Sequence, residues 1–342
     1  MKQIRLKSNI NGNSSHHSPK LVYAGSEGVL FQGDCLALLS QMLSDTVDLG
    51  FADPPFNLGK DYGTTVFSDQ LATEDYRIWC QTWLMEMVRV LRPGGALFLY
   101  HWPKWLIELG HWLNSLPTLE YRGWIALKMK SGFPIQNRLH PAHYGILYYT
   151  KKGAEPTFNV VRHRIPTCRH CGKELPDYGG YRKKFDKYED EEGTPWIQIS
   201  DFWEDTRPER SAKSRDEITE LPMHVPERAI LLATSPGDIV LDVFGGSGST
   251  YHAAQFHQRK WIGCDITDVT PILRRLKTCF GLHTALEDNP ILARTFRAEF
   301  QTTSIEGFNQ RGGQRVIDSI QPFEEKVASF HEKASKSKVL GF

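Results

Sequence analysis

The sequence lacks any run of about 18 apolar residues, so no transmembrane helix is expected. Its first residues are polar, unlike an export signal. With only six cysteines in 342 residues and no such signal, we expect reduced thiols rather than a disulfide framework. A net charge of +1 excludes an overall basic field, so any nucleic-acid contact would need local basic patches. These absences predict a soluble, cytoplasmic protein.

What is present is an alternation of strand and helix patterns. Five apolar runs predict buried strands, at residues 29–32, 47–52, 96–100, 238–244 and 260–266. Helical spacing predicts helices over 35–42 and 74–91, the second stopped by Pro93-Gly94-Gly95. This alternation indicates an α/β fold with a doubly wound, mostly parallel sheet.

The pattern is interrupted in the middle of the chain. Residues 151–187 are polar and hold ten basic and four acidic residues, and the α/β pattern resumes at about residue 221. The simplest organisation is one α/β domain, residues 21–130 and 220–300, split by an insert at 130–219. A flexible tail at 1–20 and a C-terminal extension at 301–342, with a peripheral helix at 316–333, complete the expected organisation.

A glycine-rich turn, DVFGGSGST at 242–250, follows a predicted strand and precedes a helix. Glycines in this context let the backbone approach a ligand, although packing alone could also require them. A dinucleotide fingerprint starting at Gly246 needs glycine at 251, where Tyr251 stands. Asp265 ends the next strand, as an acid that binds ribose hydroxyls would, or else caps a helix. The combination favours a nucleoside ligand without pyrophosphate, of which S-adenosylmethionine is the common one.

A second unusual segment, DPPFNLG at 53–59, ends the predicted strand at 47–52. Two prolines cannot continue a hydrogen-bonded ladder, so they leave the Asp53 carboxylate and nearby carbonyls facing outward as acceptors. Acceptors beside the ring of Phe56 make a site for a flat amine, such as the exocyclic amine of a nucleobase. Since ligands bind at the carboxyl ends of parallel strands, this segment and the glycine turn are expected to line one cleft.

DPPFNLG and FGGSGST together resemble the amino-methylating DNA methyltransferases, which transfer the methyl group of S-adenosylmethionine to adenine N6 or cytosine N4. VLRPGG at 90–95, MHVPERAI at 223–230 and RKWIGCDI at 259–266 also resemble segments of this family. The resemblance covers most of residues 29–280, and the order of the motifs is the permuted one of the beta class. Val243, where proline is usual, and Ser249, where threonine is common, are mild departures.

The resemblance implies a Rossmann-like methyltransferase fold, a target-recognition role for the insert, and specific site residues. The catalytic motif would be Asp53, Pro54, Pro55 and Phe56. Phe244 would contact the cofactor adenine and Asp265 its ribose, with Gly245, Gly246 and Gly248 near its methionine moiety. Asp34 would lie near the cofactor adenine, although it could equally cap the helix that starts at Cys35.

For the substrate, the resemblance implies a base flipped out of duplex DNA. The acid of DPPF favours adenine N6, because cytosine-N4 enzymes more often carry serine there. Carbon-5 methylation of cytosine is disfavoured, since it needs a nucleophilic cysteine, usually after a proline, and no cysteine here follows one. The alternatives are a cytosine-N4 enzyme, a catalytically idle DNA-binding module, or an RNA target, which the long insert makes less favoured. A separate restriction endonuclease would be a natural partner, and the protein could be a monomer or a homodimer.

Two features of the insert carry further hypotheses. Arg182, Lys183 and Lys184 lie beside tyrosines, a mixture suited to phosphate contact and base reading or simply to a solvated face. Cys168 and Cys171 form a C-x-x-C pair that could be half of a zinc site. A four-ligand site needs a second pair, which the insert lacks, so a plain tight turn is favoured over zinc or redox chemistry.

Overall fold

The computed structural model describes residues 19–59, 70–128, 137, 139, 142–164, 170–171, 196–204 and 221–310. The strands in these residues are β1 (Lys20–Ala24), β2 (Gly28–Gln32), β3 (Val47–Ala52), β4 (Leu91–His101), β5 (Leu119–Lys128), β6 (His143–Lys151), β7 (Arg162–Arg164), β8 (Trp196–Gln198), β9 (Phe202–Trp203), β10 (Ile239–Asp242) and β11 (Lys260–Asp265). The helices are α1 (Cys35–Leu39), α2 (Thr73–Val90), α3 (Pro103–Asn114), α4 (His224–Ala233), α5 (Ser249–Phe256), α6 (Thr270–Phe280), α7 (Pro290–Thr295) and α8 (Ala298–Gln310).

Nine of these strands form one sheet in the order β1-β2-β11-β10-β3-β4-β6-β5-β9. The five strands from β2 to β4 run parallel to one another, whereas β1 and β6 are antiparallel to their neighbours in that set. β7 and β8 pair separately. The predicted doubly wound, mostly parallel sheet is therefore confirmed.

The chain leaves the centre of the sheet in opposite directions. The connection from β3 through α2 steps one way to β4, and the connection from β10 through α5 steps the other way to β11. Because such crossovers are right-handed, α2 and α5 lie on opposite faces of the sheet. β3 and β10 are neighbours, so a crevice opens between the loops that follow them.

The end of α2 differs from the sequence prediction. The helix ends at Val90, and Pro93 to Gly95 lie inside β4 rather than forming the stop. The group that satisfies the end of α2 is distant in sequence. The Lys151 ammonium donates to the carbonyls of Val88 (2.8 Å), Arg89 (3.2 Å) and Leu91 (2.6 Å). A cation at a helix C-terminus satisfies carbonyls that lack helical partners and complements the helix dipole.

Other boundaries also differ from prediction, among them the ends of α1 and β10. α1 ends at Leu39 rather than at residue 42. The Arg89 guanidinium donates hydrogen bonds to the Leu39 carbonyl (2.6 Å) and to the Met42 carbonyl (2.9 Å). β10 ends at Asp242, because the Asp242 side chain turns back to accept from the Phe244 N–H (2.9 Å). The chain therefore leaves the sheet two residues earlier than its apolar run predicts.

The expected insert at 130–219 contributes directly to the central sheet. β6 lies beside β4, and β9 extends the far edge next to β5. The two expected terminal segments also take part in the fold. β1 begins at Lys20, the last residue of the expected tail, and α8 places residues 301–310 of the expected C-terminal extension against β1. The predicted helix at 316–333 lies outside the described residues. Within the described residues, no helix is both long enough and apolar enough to cross a bilayer.

Candidate functional site: a cleft at the carboxyl ends of the strands

At the same edge of the sheet, four neighbouring parallel strands each have a polar residue as their last residue or directly after it. β11 ends at Asp265, β10 at Asp242, β3 at Ala52 immediately before Asp53, and β4 at His101. The registers align these ends, since Asp242 pairs with Gly263 and Ala52 pairs with Leu99. The DPPF segment and the glycine turn therefore lie at one edge, on either side of the crevice between β3 and β10, as predicted.

The glycine turn between β10 and α5 needs its glycines for two reasons. Gly246 (φ 51°) and Gly248 (φ 81°) have left-handed backbones, which residues with a Cβ adopt at a cost. At Gly245 a Cβ would lie 2.4 Å from the Tyr251 hydroxyl oxygen. The loop is thus shaped both by backbone conformation and by close packing beneath it.

Tyr251 explains why a dinucleotide fingerprint is incomplete here. Its side chain is fully buried and stacks on Trp261, with ring centroids 5.1 Å apart. Its hydroxyl donates to the Asp242 carbonyl (2.8 Å) and accepts from the Cys264 N–H (3.2 Å), which links β10 to β11. A glycine in its place would leave these backbone groups without that link, so the residue supports the floor of the glycine turn.

Asp265 is not a helix N-cap, because α6 begins only at Thr270. One carboxylate oxygen accepts from the Gly246 N–H (2.7 Å), and the other from the N–H (2.8 Å) and hydroxyl (2.7 Å) of Thr267. The carboxylate therefore ties the glycine turn to the loop after β11. With three hydrogen bonds accepted out of about four lone-pair positions, it keeps capacity for a ligand hydroxyl.

Asp34 does cap a helix, since its carboxylate accepts from the Ala37 N–H (2.9 Å) at the start of α1. It also lies at the same edge as the glycine turn, because β2 runs parallel to β11. Burial, followed by the charges of Cys35, Asp265, Asp34 and Asp242, raises the pKa of the Cys264 thiol well above its usual value. All three carboxylates therefore lie near the buried Cys264 thiol at the strand ends.

The charged and aromatic side chains of the cleft fit S-adenosylmethionine better than a pyrophosphate. The three carboxylates create a negative field, which repels phosphate and favours a cationic sulfonium, an ammonium group and ribose hydroxyls. Phe244 is half-buried beside Trp79 and Trp83, with ring centroids 5.8 and 4.9 Å away, and gives the cleft an aromatic wall. The residues present therefore match a nucleoside with a positively charged tail.

Asp242 predicts a specific pH dependence of stability. Burial raises the pKa of its carboxyl to about 6, with a smaller contribution from Asp265 and opposition from hydrogen bonds of Thr250 and Phe244. Because the folded pKa exceeds the unfolded one, ionisation opposes folding: the penalty is absent below about pH 4 and complete above about pH 6. Asp242→Asn should therefore gain stability over the wild type as pH rises from 4 to 7, by about 3 kcal/mol.

Urea denaturation of the wild type and of Asp242→Asn across that pH range checks this prediction. Comparing the two proteins cancels the titration of all other carboxylates. A stability difference that stays constant between pH 4 and pH 7 would contradict the raised pKa.

The DPPF loop is held to the start of α2 at two points. The Asn57 amide pairs with the backbone of Leu71, accepting from its N–H (2.7 Å) and donating to its carbonyl (2.9 Å). Asn57 has a left-handed backbone (φ 56°), which asparagine tolerates better than most residues. The Tyr76 hydroxyl donates to the Pro55 carbonyl. The loop that carries Asp53 is therefore fastened on its C-terminal side.

Aromatic rings enclose the space beside Asp53. Phe56 stacks on His101 (centroids 4.6 Å apart, 22° between planes) and contacts Tyr100 (5.7 Å) and Tyr144 (5.8 Å). Burial raises the pKa of both tyrosines, and the charge of Asp53 raises them further, which places both phenols near its carboxylate. The half-buried acid thus lies in an aromatic enclosure whose hydroxyls stay protonated at neutral pH.

Sequence reasoning missed Tyr76, Tyr100, His101 and Tyr144. Tyr100 and His101 end a run of apolar residues, LFLYH, and polar groups at the end of a buried strand were a usable signal. Tyr144 begins β6, and only the antiparallel pairing of β6 with β4 brings it to the same edge as the strand ends. Nothing local in the sequence reports that pairing.

The predicted features of the insert lie mostly outside the described residues. Arg182, Lys183, Lys184 and Cys168 fall there, and the Cys171 thiol is exposed. No group of three or more potential metal ligands occurs in the part of the chain that the structure describes. The phosphate-contact and zinc hypotheses therefore stay predictions.

Residues 47–269, which contain the DPPF segment, the glycine turn and β11, match the DNA methylase family of N6/N4 methyltransferases. The chain belongs to this family. Its resemblance to the amino-methylating enzymes is thus confirmed, and so is the cofactor that the resemblance implies, because the family depends on S-adenosylmethionine.

Two curated members of the family are similar in sequence. Type II methyltransferase M.BamHI of Bacillus amyloliquefaciens is 44% identical over 251 residues, which cover 73% of this chain and 57% of that protein. Type II methyltransferase M.HpaI of Haemophilus parainfluenzae is 30% identical over 238 residues, which cover 69% of each chain. The match thus spans little more than half the length of the first relative.

Among solved structures, PvuII DNA methyltransferase, described as cytosine-N4-specific, has a TM-score of 0.54 to this chain. The match covers 84% of this chain and 96% of the other at 17% identity. At that identity the likeness concerns the fold alone, and it agrees with a Rossmann-like DNA methyltransferase architecture.

Proposed function

We propose that this DNA methylase transfers the methyl group of S-adenosylmethionine to the exocyclic amine of a base in duplex DNA, with adenine N6 as the target. The observation that carries the proposal is the position of Asp53. Its carboxylate follows β3 in an aromatic enclosure, across the β3–β10 crevice from the glycine turn. A methyl donor on one side of that crevice and an amine on the other would meet between them.

The exocyclic amine of a base is a poor nucleophile, so methyl transfer requires its activation. The lone pair of an exocyclic amine is conjugated into the ring, and S-adenosylmethionine supplies an electrophilic methyl group. Asp53 would accept a hydrogen bond from the amine, and a carbonyl of the same loop would accept the other. Two acceptors in fixed positions favour a pyramidal nitrogen, whose lone pair is no longer conjugated with the ring and is free to attack the methyl group. As the N–CH3 bond forms, the S–CH3 bond would break and S-adenosylhomocysteine would leave. The carboxylate would stabilise the positive charge on nitrogen until the amine loses one proton to water.

To enter this enclosure a base must leave the duplex, which costs a few kcal/mol of lost stacking and pairing. Stacking on Phe56 would offset part of this cost, because its ring is held by His101 rather than left to rotate. Tyr100 and Tyr144 would form the remaining walls. The aromatic enclosure is thus suited to a flat heterocycle with a polar edge directed at Asp53.

Adenine is proposed over cytosine because an acid begins the DPPF motif. Cytosine N4 is an amine beside a ring nitrogen too, so a matching enclosure could hold it, and the experiment must identify the base. Duplex DNA would be positioned by the basic part of the insert, including Arg182, Lys183 and Lys184. A separate restriction endonuclease is the proposed biological partner, for a monomeric or homodimeric enzyme.

For the cofactor, we propose that Asp265 accepts from a ribose hydroxyl and that Phe244 lies against the adenine. Gly245, Gly246 and Gly248 would face the methionine moiety, with Asp34 near the adenine. Asp265→Ala should weaken S-adenosylmethionine binding by roughly ten- to a hundredfold, since it removes a charged acceptor and the tether of Gly246. Titration calorimetry measures this, and an unchanged affinity would contradict the ribose assignment.

The direct test of the reaction uses purified protein, methyl-labelled S-adenosylmethionine and a mixture of duplex DNA sequences. After digestion to nucleosides, mass spectrometry should find the label in N6-methyladenine. Label in N4-methylcytosine would retain the reaction class and overturn the proposed base. Absence of label from DNA, with transfer to RNA or with no transfer at all, would overturn the proposed function.

A further inference from the structure

A chain of hydrogen bonds runs from the start of α3 to the DPPF loop. The Trp102 N–H lies 2.7 Å from His101 Nδ1, and His101 Nε2 lies 2.7 Å from the Tyr76 hydroxyl oxygen. The Tyr76 hydroxyl in turn contacts the Pro55 carbonyl. Tyr76 and His101 are both fully buried, so these contacts are shielded from competing water.

The geometry determines which group donates at each step. A backbone N–H can only donate, so His101 Nδ1 must be the acceptor and Nε2 must carry the proton of the neutral ring. Burial lowers the pKa of His101 to about 3, which keeps that ring neutral at physiological pH. Nε2 therefore donates to the tyrosine oxygen, and the only proton of Tyr76 is directed at the Pro55 carbonyl.

The other titratable group beside the tyrosine does not disturb this arrangement. Cys80 lies one helical turn along α2, and burial raises the pKa of its thiol to about 12. The thiol, which also forms a hydrogen bond with the Tyr76 side chain, is thus uncharged at neutral pH. It therefore brings no negative charge beside the Tyr76 hydroxyl.

His101 also holds the loop through its ring face. Phe56 stacks on the imidazole, while the imidazole edge holds Tyr76 and, through it, Pro55. One buried histidine therefore sets both the plane of the stacking ring and the direction of the preceding carbonyl.

We propose that Tyr76 and His101 are positioning residues for methyl transfer, which orient the DPPF loop through the Pro55 carbonyl and the Phe56 ring. The proposal rests on the function proposed above. Neither residue reaches the reacting atoms. Their effect is on the alignment of Asp53 and of the base, where a displacement of about 1 Å can cost on the order of a hundredfold in rate.

The test compares Tyr76→Phe with a matched control, Tyr149→Phe. Each variant removes one buried hydroxyl. The Tyr149 hydroxyl, on β6, contacts Asn114 Oδ1 (2.9 Å) and the Gly110 carbonyl (3.3 Å), both on α3 and away from the cleft. Tyr76→Phe should lower kcat by roughly ten- to a hundredfold and leave the KM for S-adenosylmethionine unchanged. Tyr149→Phe should lower thermal stability to a similar extent with kcat unchanged.

Equal kcat values for the two variants would overturn the proposal, because the hydroxyl of Tyr76 would then be only structural. A wild type without methyl transfer would instead overturn the proposed function. The hydrogen-bond chain is tested separately by ¹⁵N NMR of protein labelled at its histidines, a measurement that does not require enzyme activity. His101 should be neutral and protonated on Nε2, and a proton on Nδ1 would overturn the chain.

Discussion

Replacing Asp53 by alanine should reduce methyl transfer by about 100-fold or more and leave the fold and S-adenosylmethionine binding nearly unchanged. Asp53 lies past the end of β3 and is half-buried, so its removal creates little cavity. What it removes is the acceptor proposed for the target amine, and loss of one preorganised hydrogen-bonding group in an active site typically costs about 100- to 1,000-fold in kcat.

Three measurements on Asp53→Ala separate chemistry from structure. Single-turnover methyl transfer reports the reaction, calorimetry reports cofactor affinity, and a thermal melt reports the fold. Asp265→Ala is the complementary variant, since it should lose cofactor affinity first. Retention of more than a few per cent of wild-type turnover by Asp53→Ala would remove this residue from the catalytic role.

At the other end of the same strand, Asp48→Ala should destabilise the protein by about 3–5 kcal/mol. The Asp48 side chain is 3% exposed, pairs with the Arg92 guanidinium and accepts from the Ile239 N–H (2.7 Å) of β10. Its loss leaves the buried Ile239 N–H without this acceptor and removes the charged partner of Arg92, whose guanidinium keeps the Pro93 carbonyl (3.0 Å). Because β3 and β10 flank the crevice, this acid holds together the strands that carry the two loops of the site.

Glu120→Ala is the matched control, because it also removes an acid from an ion pair. Glu120 pairs with Arg122 at 3.3 Å, but its side chain is 50% exposed, so the expected loss is under about 1 kcal/mol. Urea denaturation at neutral pH measures both. Similar losses for the two variants would show that the buried position of Asp48 adds nothing to its contribution.

The features of the site that lie within one segment could be predicted from the sequence. β3 has the predicted bounds, because a mostly apolar segment is followed directly by an acid and two prolines. The glycine turn follows β10 as expected, since its glycines suit a strand-to-helix turn. In both cases the residues that determine the local structure are adjacent in the chain, so propensity and spacing suffice.

Contacts between distant segments could not be predicted in this way. Lys151 terminates α2 from about 60 residues away, and Tyr144 reaches the cleft only because β6 pairs with β4. The chain from Trp102 to Pro55 joins β4, α2 and the DPPF loop. These depend on strand order and on side-chain packing, which a single sequence does not report. The alignment of the DPPF loop therefore emerges only from the fold.

Single-molecule sequencing of modified bases in DNA tests the central claim most directly. Cells without other methyltransferases would express either the wild type or Asp53→Ala, and both genomes would be sequenced. We predict N6-methyladenine at nearly every copy of one short sequence in the wild-type genome and at none in the variant genome. Wild-type DNA without any new modified base, or with the same modification in both genomes, would contradict the account.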